Sequence, residues 1–211
     1  MSAHGFKADR GASFASIERA AYRTRKIVAP GSITAAVPGM ALLENLDQHW
    51  ANADGRRINL NYGVSDIRVE ALTRYDAVLD QMIIVVSERT YRDLAKNVPR
   101  ARFALCHEIG HAVLHFDQAV RLAGIPHQTA ALMRGSAPKH PPYLDTEWQA
   151  NAFASSLLMP AKGLAELEQR GGLSISMVQF AFGVSYSAAG YRLVAYNKRR
   201  AELLSAVDGT M

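Results

Sequence analysis

The sequence predicts an α+β fold, in which a small and mostly antiparallel sheet is followed by helices that extend to the end of the chain. Its 211 residues are 49% hydrophobic and 20% charged, which is an ordinary globular composition with enough apolar side chains for a core. Short β-type runs occur between residues 58 and 86, and apolar residues recur at helical spacing on both sides of that region. One medium-sized domain with a helical appendage accounts for this length.

The first half of the chain is predicted to contain a tail, three helices and all the strands. Residues 1–12 carry little apolar pattern and are expected to form a flexible tail. The run 81–86 is continuously apolar after its first residue, as expected of a buried strand. We expect helices at 14–28, 40–50 and 87–96, and strands at 58–62, 66–72 and 81–86.

The second half is predicted to be helical around one long loop. A helix is expected over 100–116, and residues 118–144 are rich in Gly and Pro with little periodicity, which predicts a long loop or insertion. Asp145 or Thr146 can then cap a helix that runs to Leu158. Beyond it we expect a helix at 160–170, which completes a main domain of 13–172, and a helical hairpin at 174–182 and 186–204 within a C-terminal unit of 173–205.

Bulk properties argue against several classes of protein. No apolar run approaches the 18 residues of a membrane-spanning helix, and the N-terminus lacks the apolar segment of a signal peptide. The single cysteine, Cys106, cannot form an internal disulfide, which fits a reducing compartment, so we expect a cytoplasmic protein. The net charge of +5 is modest, and the basic groups at 19–26 and 198–200 stand beside acidic residues, as is typical of solvated helix faces.

One motif on the predicted helix 100–116 carries metal chemistry. His107, Glu108 and His111 form the pattern H-E-x-x-H, and residues four apart lie on the same face of a helix. Two imidazoles placed in this way can bind one Zn²⁺, and the Glu can act as general base on a water molecule that the metal polarises. The motif therefore predicts a zinc site with hydrolytic chemistry.

A catalytic zinc ion has three protein ligands, so one more must come from elsewhere in the chain. The candidates are His115, Asp117, His127, His140 and Glu147. His115 follows the first motif histidine by eight residues, which places it about 12 Å farther along the helix axis and too far to share the ion. Asp117 has the spacing used by some zinc peptidases, but that spacing requires Gly at a turn where this chain has Leu114.

Glu147 is the candidate that the residues favour. It lies at the start of the helix predicted after the loop, and Asn151 follows four residues later on the same face. A carboxylate would complete a His₂Glu ligand set, and Asn151 could accept a hydrogen bond from the other N–H of a ligating imidazole. A Glu in the first turn of a helix is also explained by the helix dipole, and the loop residues His127 and His140 remain alternatives.

Two longer blocks of sequence resemble those of a known family. Residues 102–115 (RFALCHEIGHAVLH) and 147–160 (EWQANAFASSLLMP) are similar to the signature strings of the ImmA/IrrE family of metallopeptidase-like proteins. The resemblance extends over roughly residues 15–200 and is strongest in these blocks. It implies a minimal zincin-like domain of the gluzincin type. By position it assigns His107, His111 and Glu147 as Zn²⁺ ligands, with Glu108 as general base and Asn151 behind the ligands.

The resemblance also implies a function and partners. It predicts a metallopeptidase that cleaves a protein, most often a helix-turn-helix transcriptional repressor, in a mobile element or a stress response. Tyr143, His127 and His140 are candidates for donating a hydrogen bond to the developing oxyanion. The spacing between the two blocks exceeds that expected of the family, which suggests an insertion within 118–144. The alternative is a regulatory or toxin–antitoxin-type protein that is stabilised by zinc and binds a partner protein or DNA without cleaving it.

The C-terminal hairpin is similar to a DNA-binding helix-turn-helix. Residues 178–193 follow a helix–Gly-Val-Ser–helix pattern, and in such a motif the second helix would enter the major groove. Small residues in 186–190 offer few groups that read base edges, whereas Arg192 and the cluster 198–200 could contact phosphates. We therefore favour a packed hairpin that closes the domain over a DNA-binding one. The sequence does not determine the oligomeric state.

Overall fold

The computed structural model describes residues 6–46, 50–51, 55–123 and 140–208, and within these ranges it is an α+β protein. The helices are α1 Phe14–Val28, α2 Gly39–Glu44, α3 Glu88–Ala95, α4 Pro99–Leu114, α5 Phe116–Ala123, α6 Thr146–Leu158, α7 Ala161–Gln169, α8 Ile175–Phe182 and α9 Tyr186–Asp208. The strands are β1 Trp50–Ala51, β2 Arg57–Ile58, β3 Leu60–Ser65, β4 Ala71–Asp76 and β5 Gln81–Ser87. In this described part of the chain, no helix is both long and apolar enough to span a membrane.

The main sheet is mixed, which corrects the expectation of a mostly antiparallel one. Its strand order is β3-β5-β4, with β4 and β5 antiparallel and β3 and β5 parallel. β4 and β5 form a local hairpin, and β5 lies between β4 and the earlier strand β3, so the connection from β3 to β4 passes over the position of β5. The strand predicted at 66–72 begins later in the structure, where β4 starts at Ala71. Residues 66–70 lie outside any strand, with a bend at 68–70. β1 and β2 form a separate antiparallel pair.

Side-chain caps determine where several helices begin. The hydroxyl of Ser13 accepts a hydrogen bond from the amide of Ser16 at the start of α1, and Ser87 caps α3 in the same way. The carboxylate of Asp145 accepts from the amide of Trp148 and starts α6, as the sequence predicted. Each cap satisfies an amide that has no partner within its own helix. α2 is shorter than predicted and ends at Glu44.

The core forms between one face of the sheet and the long helices. Met82, Ile84 and Val86 of β5 alternate with less buried residues and are fully buried against helices. α4 lies against the sheet on one side and against α6 on the other, and α1 and α9 cover the outside of α6. Phe153 of α6 is fully buried beside Gly110 of α4, where the two helices meet. The motif helix is therefore held from both sides by the core.

Two predicted loose segments are partly structured, and this corrects the sequence interpretation. Within the predicted tail 1–12, the amide of Ala8 donates to the carbonyl of Leu144 at 2.7 Å, and Ala8 is 3% exposed. Within the predicted loop 118–144, residues 118–123 belong to α5, and residues 142–144 form a 3₁₀ turn. Tertiary packing explains both differences, because the N-terminal segment and the 3₁₀ turn hydrogen-bond to each other across the start of α6.

The chain ends in the predicted pair of helices. α8 ends at Gly183, which has φ = 60° and therefore takes the left-handed conformation that favours glycine at a helix C-terminus. Arg192 of α9 was expected to be available for phosphate contact, but it is buried and pairs with the carboxylate of Glu18 at 2.7 Å. That ion pair fixes α9 to α1, which packs the hairpin onto the rest of the protein.

Candidate metal centre

A close approach of α4 and α6 brings the motif residues to the carboxylate of the second block. Gly110 lies between the two motif histidines on α4, and a Cβ atom at this position would lie 3.2 Å from the Cα atom of Ala150 and 3.1 Å from the ring of Phe153. A larger side chain at residue 110 would therefore press against the backbone of α6. The absence of a side chain allows the helix axes to come close enough for residues on both helices to converge.

His107, His111 and Glu147 converge at this contact. The Nε2 atoms of the two histidines are 3.0 Å apart, and the two oxygens of Glu147 lie 3.4 Å from His107 Nε2 and 3.2 Å from His111 Nε2. One ligand atom from each residue falls within 4.8 Å of the other two. All three side chains are largely buried, with exposed fractions of 14%, 4% and 13% in that order. Three electron-pair donors thus face one small space.

His107 and Glu147 each shift the pKa of the other toward its charged form. Burial acts to lower the pKa of His107, but its hydrogen bond to Glu147 and the nearby Glu108 charge outweigh burial and raise that pKa above its ordinary value. Burial acts to raise the pKa of Glu147, and its hydrogen bonds to His107 and His111 outweigh this and hold that pKa far below the usual range. Glu147 is therefore ionised throughout the physiological range, as a metal ligand must be.

The outer ring nitrogens of both histidines have protein partners. His107 Nδ1 lies 3.0 Å from Oδ1 of Asn151, the residue that the sequence placed behind the ligands. His111 Nδ1 lies 3.2 Å from Nδ1 of His115, and His115 Nε2 lies 2.9 Å from Oε1 of Gln149. Burial is the largest of the effects that lower the pKa of His115 to about 3, so this ring is uncharged at neutral pH. Both motif histidines therefore point Nε2 inward and Nδ1 outward.

Glu108 faces the sheet and has its own partner there. The hydroxyl of Thr73 on β4 donates to Glu108 Oε2 at 2.8 Å and also lies 3.0 Å from the Glu108 carbonyl oxygen. Thr73 is 3% exposed, whereas Glu108 is half-buried. This contact was not predicted, because the residues are 35 positions apart and no local pattern relates them. Thr73 is the one buried residue of β4, which shows no regular alternation that would have singled it out.

The donor set fits Zn²⁺. Two imidazole nitrogens and one carboxylate form the His₂Glu combination of catalytic zinc sites, which leave a further position for water or substrate. The two inward-facing Nε2 atoms and the carboxylate lie 3.0–3.4 Å from one another, so all three can direct electron pairs at a single cation. The outward hydrogen bonds of the two Nδ1 atoms supply the support that ligating imidazoles normally have. The residues present are therefore suited to hold this ion.

The other residues considered from sequence lie elsewhere or serve other contacts. Asp117 is exposed and pairs with Arg56 at 3.1 Å, and His115 lies behind His111 rather than beside it. His140 Nε2 is 3.3 Å from the carboxylate of Asp145. Tyr143 is 53% exposed, and its ring faces Gly11. His127 lies outside the described residues. The assignment of an oxyanion donor to Tyr143, His127 or His140 stays a prediction.

An α+β domain with this motif helix and this convergent donor set has zincin-like architecture. The chain belongs to the Peptidase M78 family, whose model, described as the IrrE N-terminal-like domain, matches residues 58–194. This match confirms the resemblance to ImmA/IrrE proteins. The comparison with curated proteins gave no match. Among solved structures, the chain is similar to a Mycobacterium tuberculosis transcriptional regulator, with a TM-score of 0.46 and 14% identity. That alignment covers 86% of this chain and 52% of the regulator, so this chain spans about half its length.

Proposed function

We propose that the protein is a zinc-dependent metallopeptidase that hydrolyses peptide bonds in a protein substrate. The observation that carries this proposal is the convergence of His107, His111 and Glu147 within 4.8 Å, together with a Glu108 carboxylate whose charge acts on His107 and raises its pKa. A protein that used zinc for structure alone would have no need of a general base beside the ligands. Membership of the Peptidase M78 family supports the same reaction class.

The residues of the centre would have two separate roles, which are binding of the metal ion and transfer of protons. His107, His111 and Glu147 would hold Zn²⁺, which when bound supplies Lewis acidity for a peptide carbonyl and lowers the pKa of water. Glu108 would accept a proton from the attacking water and later deliver it to the leaving amine. Because Thr73 occupies Oε2, the other carboxylate oxygen of Glu108 is the one that would take up this proton.

The substrate that we propose is a transcriptional repressor of the helix-turn-helix type, as the family resemblance suggests. A mobile element or a stress response is the setting that the resemblance suggests. The single cysteine of the chain, a buried free thiol, supports a reducing compartment such as the cytoplasm.

DNA binding through the C-terminal hairpin is less well supported than binding to a protein. The arginines near the end of the chain have partners, since Arg192 pairs with Glu18 and Arg200 lies 2.9 Å from Glu168. The outward side chains of α9 include Tyr191 and Val194, which are 81% and 69% exposed. Such a surface offers few groups for bases or phosphates and is better suited to contact with a protein.

The test is proteolysis of a helix-turn-helix repressor offered as the substrate. We would measure zinc content and then incubate the protein with that repressor, comparing wild type with Glu108→Gln and with Glu88→Gln. Glu88 is an exposed residue of α3 and provides a matched control. Cleavage by wild type and Glu88→Gln, but not by zinc-loaded Glu108→Gln, is the expected result. Equal cleavage by Glu108→Gln would contradict the mechanism.

A second candidate function is regulation by binding without cleavage. The observation that favours it is the exposed aromatic surface of the C-terminal helices, where Phe180 is 90% exposed and Tyr191 is 81% exposed. In the same experiment this candidate predicts zinc binding and stable association with the partner, with no new fragments. It also predicts that Glu108→Gln associates with the partner as well as wild type does.

A further inference from the structure

Both hydrogens of the Gln149 amide are donated to backbone carbonyls beside the candidate metal centre. Gln149 Nε2 donates to the carbonyl oxygen of Arg10 at 3.1 Å and to that of Tyr143 at 2.8 Å, and the side chain is 1% exposed. Carbonyl oxygens only accept hydrogen bonds, so the NH₂ group must be the end of the amide that faces them. The orientation of the amide is thereby determined, and Oε1 is the atom directed at His115.

This orientation determines where His115 carries its hydrogen. Gln149 Oε1 can only accept, so His115 Nε2, at 2.9 Å, must donate. The ring is 3% exposed and is hydrogen-bonded to the uncharged Gln149 amide and to the His111 ring, a setting that disfavours a charged imidazolium. A neutral His115 with its hydrogen on Nε2 presents a lone pair at Nδ1.

The same reasoning determines which ring nitrogen of His111, a predicted metal ligand, carries hydrogen. His115 Nδ1 lies 3.2 Å from His111 Nδ1, so His111 must carry a hydrogen on Nδ1 and donate it. A neutral His111 then has a free lone pair on Nε2, the atom that faces His107 and Glu147. The Gln149 step uses two hydrogens and two carbonyl acceptors, and each of the two histidine steps uses one hydrogen and one acceptor.

We propose that Gln149 and His115 are positioning residues that hold the hydrogen of His111 on Nδ1 and so keep Nε2 available to a metal ion. The N-terminal segment takes part, because the Arg10 carbonyl is one of the two acceptors that orient Gln149. The proposal rests on the zinc centre of the proposed function but not on peptide-bond cleavage. We refer to the Gln149–His115–His111 chain as the histidine relay.

The first test measures the positions of the hydrogens in the wild-type relay. Long-range ¹H–¹⁵N correlation spectra of metal-free protein labelled with ¹⁵N-histidine, at pH 7.5, report which ring nitrogen of each histidine carries hydrogen. The relay predicts a hydrogen on Nδ1 of His111 and on Nε2 of His115. Single His→Gln variants assign the signals. A His111 ring with no hydrogen on Nδ1, or a His115 ring protonated on Nδ1 alone, would overturn the proposal.

The second test measures affinity for zinc alone by competition with a chromophoric chelator. His115→Leu and Gln149→Met remove the relay, and we expect about 10- to 100-fold weaker binding, the usual effect of losing a partner behind a ligand. His115→Asn keeps an acceptor near His111 Nδ1 and should recover most of the affinity. Folding of each variant is checked by circular dichroism. Folded His115→Leu and Gln149→Met proteins with wild-type affinity would overturn the proposal.

Gln118→Met is the matched control. Gln118 is also a buried glutamine that fixes the N-terminal segment, through the Lys7 carbonyl at 3.0 Å and the Asp9 amide at 3.3 Å, and its side-chain hydrogen bonds go to that segment rather than to the relay. Its zinc affinity should equal that of wild type. An equal loss in Gln118→Met would assign the effect to general packing and overturn the relay. The cleavage test with Glu108→Gln is independent, so either proposal can fail while the other stands.

Discussion

Thr73 on the edge strand β4 donates its hydroxyl hydrogen to Oε2 of Glu108 on the motif helix, at 2.8 Å. The contact links the sheet to the residue proposed to move protons. A carboxylate attached to a helix by three rotatable bonds would otherwise sample several orientations. With Oε2 occupied by a buried hydroxyl, the remaining oxygen has a defined direction.

Replacing Thr73 should therefore slow the reaction without removing the metal. For Thr73→Val, which keeps the shape of the side chain, we expect cleavage to fall by about 10- to 100-fold, as is typical when a partner of a catalytic group is lost. Thr73→Ser retains the hydroxyl and should keep most of the activity. Initial cleavage rates and zinc content are the measurements. Loss of zinc from Thr73→Val would show that its effect is structural.

Zinc should stabilise the protein through Glu147. A ligand that binds the folded state alone adds about 2.7 kcal/mol to the free energy of unfolding at one hundred times its Kd. We expect the unfolding temperature to rise with zinc and to return to its original value with a chelator. Glu147→Gln should abolish the rise. The exposed Glu88→Gln variant should retain it, and a rise of wild-type size in Glu147→Gln would exclude Glu147 as a ligand.

Alanine should have opposite effects at two helical glycines. A Cβ at Gly110 would lie 3.2 Å from the Cα of Ala150, so Gly110→Ala must move α6 away from α4. Overpacking of about 1–3 kcal/mol should exceed the helix-propensity gain of about 1 kcal/mol, and zinc affinity should fall. At Gly190 the nearest atom would be 3.6 Å away, so Gly190→Ala should increase stability slightly. Urea unfolding and chelator competition measure both quantities.

The stability of the metal-free protein should depend on pH through the pair His107–Glu147. The folded-state pKa of His107 is raised above 6.5, so its contribution to stability is complete below pH 6.5 and is lost as pH rises through the raised pKa. The pKa of Glu147 is lowered from 4.5, so its contribution is complete above pH 4.5 and is lost as pH falls through the lowered pKa. This pair therefore stabilises the metal-free protein most between pH 4.5 and 6.5.

Chemical denaturation of metal-free protein at pH 6 and pH 8 tests this dependence. Wild type should lose more stability than Glu147→Gln between the two values, because only wild type has the Glu147 carboxylate, which raises the pKa of His107 in addition to Glu108. Zinc should show the reverse trend and bind more weakly at pH 6, since a proton on His107 competes with the metal. A pH dependence that is identical in the two proteins would contradict the assigned pair.

Cys106 should be unreactive in the folded protein although it is next to His107. It is fully buried, and burial raises the pKa of its thiol to about 12, so the reactive thiolate is scarce at pH 8. We expect no alkylation by iodoacetamide at pH 8 and rapid alkylation in urea, measured by mass spectrometry. Fast labelling of the native protein would show that α4 opens readily around the motif.

The sequence by itself determined the local elements and the residues with metal chemistry. Helical spacing placed His107 and His111 on one face, and the second block placed Glu147 at the start of a helix with Asn151 behind it. Caps and breaks such as Asp145 and Gly183 act within one turn of the chain, so their effect is visible in a short window of sequence. For the same reason the positions of α1, α3, α6 and the final helix pair were close to those predicted.

Only the tertiary structure decided the contacts between residues far apart in the chain. The parallel pairing of β3 with β5, the packing of residues 6–12 against the start of α6, and the Thr73–Glu108 hydrogen bond each join segments with no shared local pattern. Helical spacing placed His115 too far along α4 to share the ion, but it could not identify Gln149, 34 residues away, as its partner. Hydrogen bonds of this kind form only where helices and strands pack against each other. The free energy of burying the core determines which elements pack together.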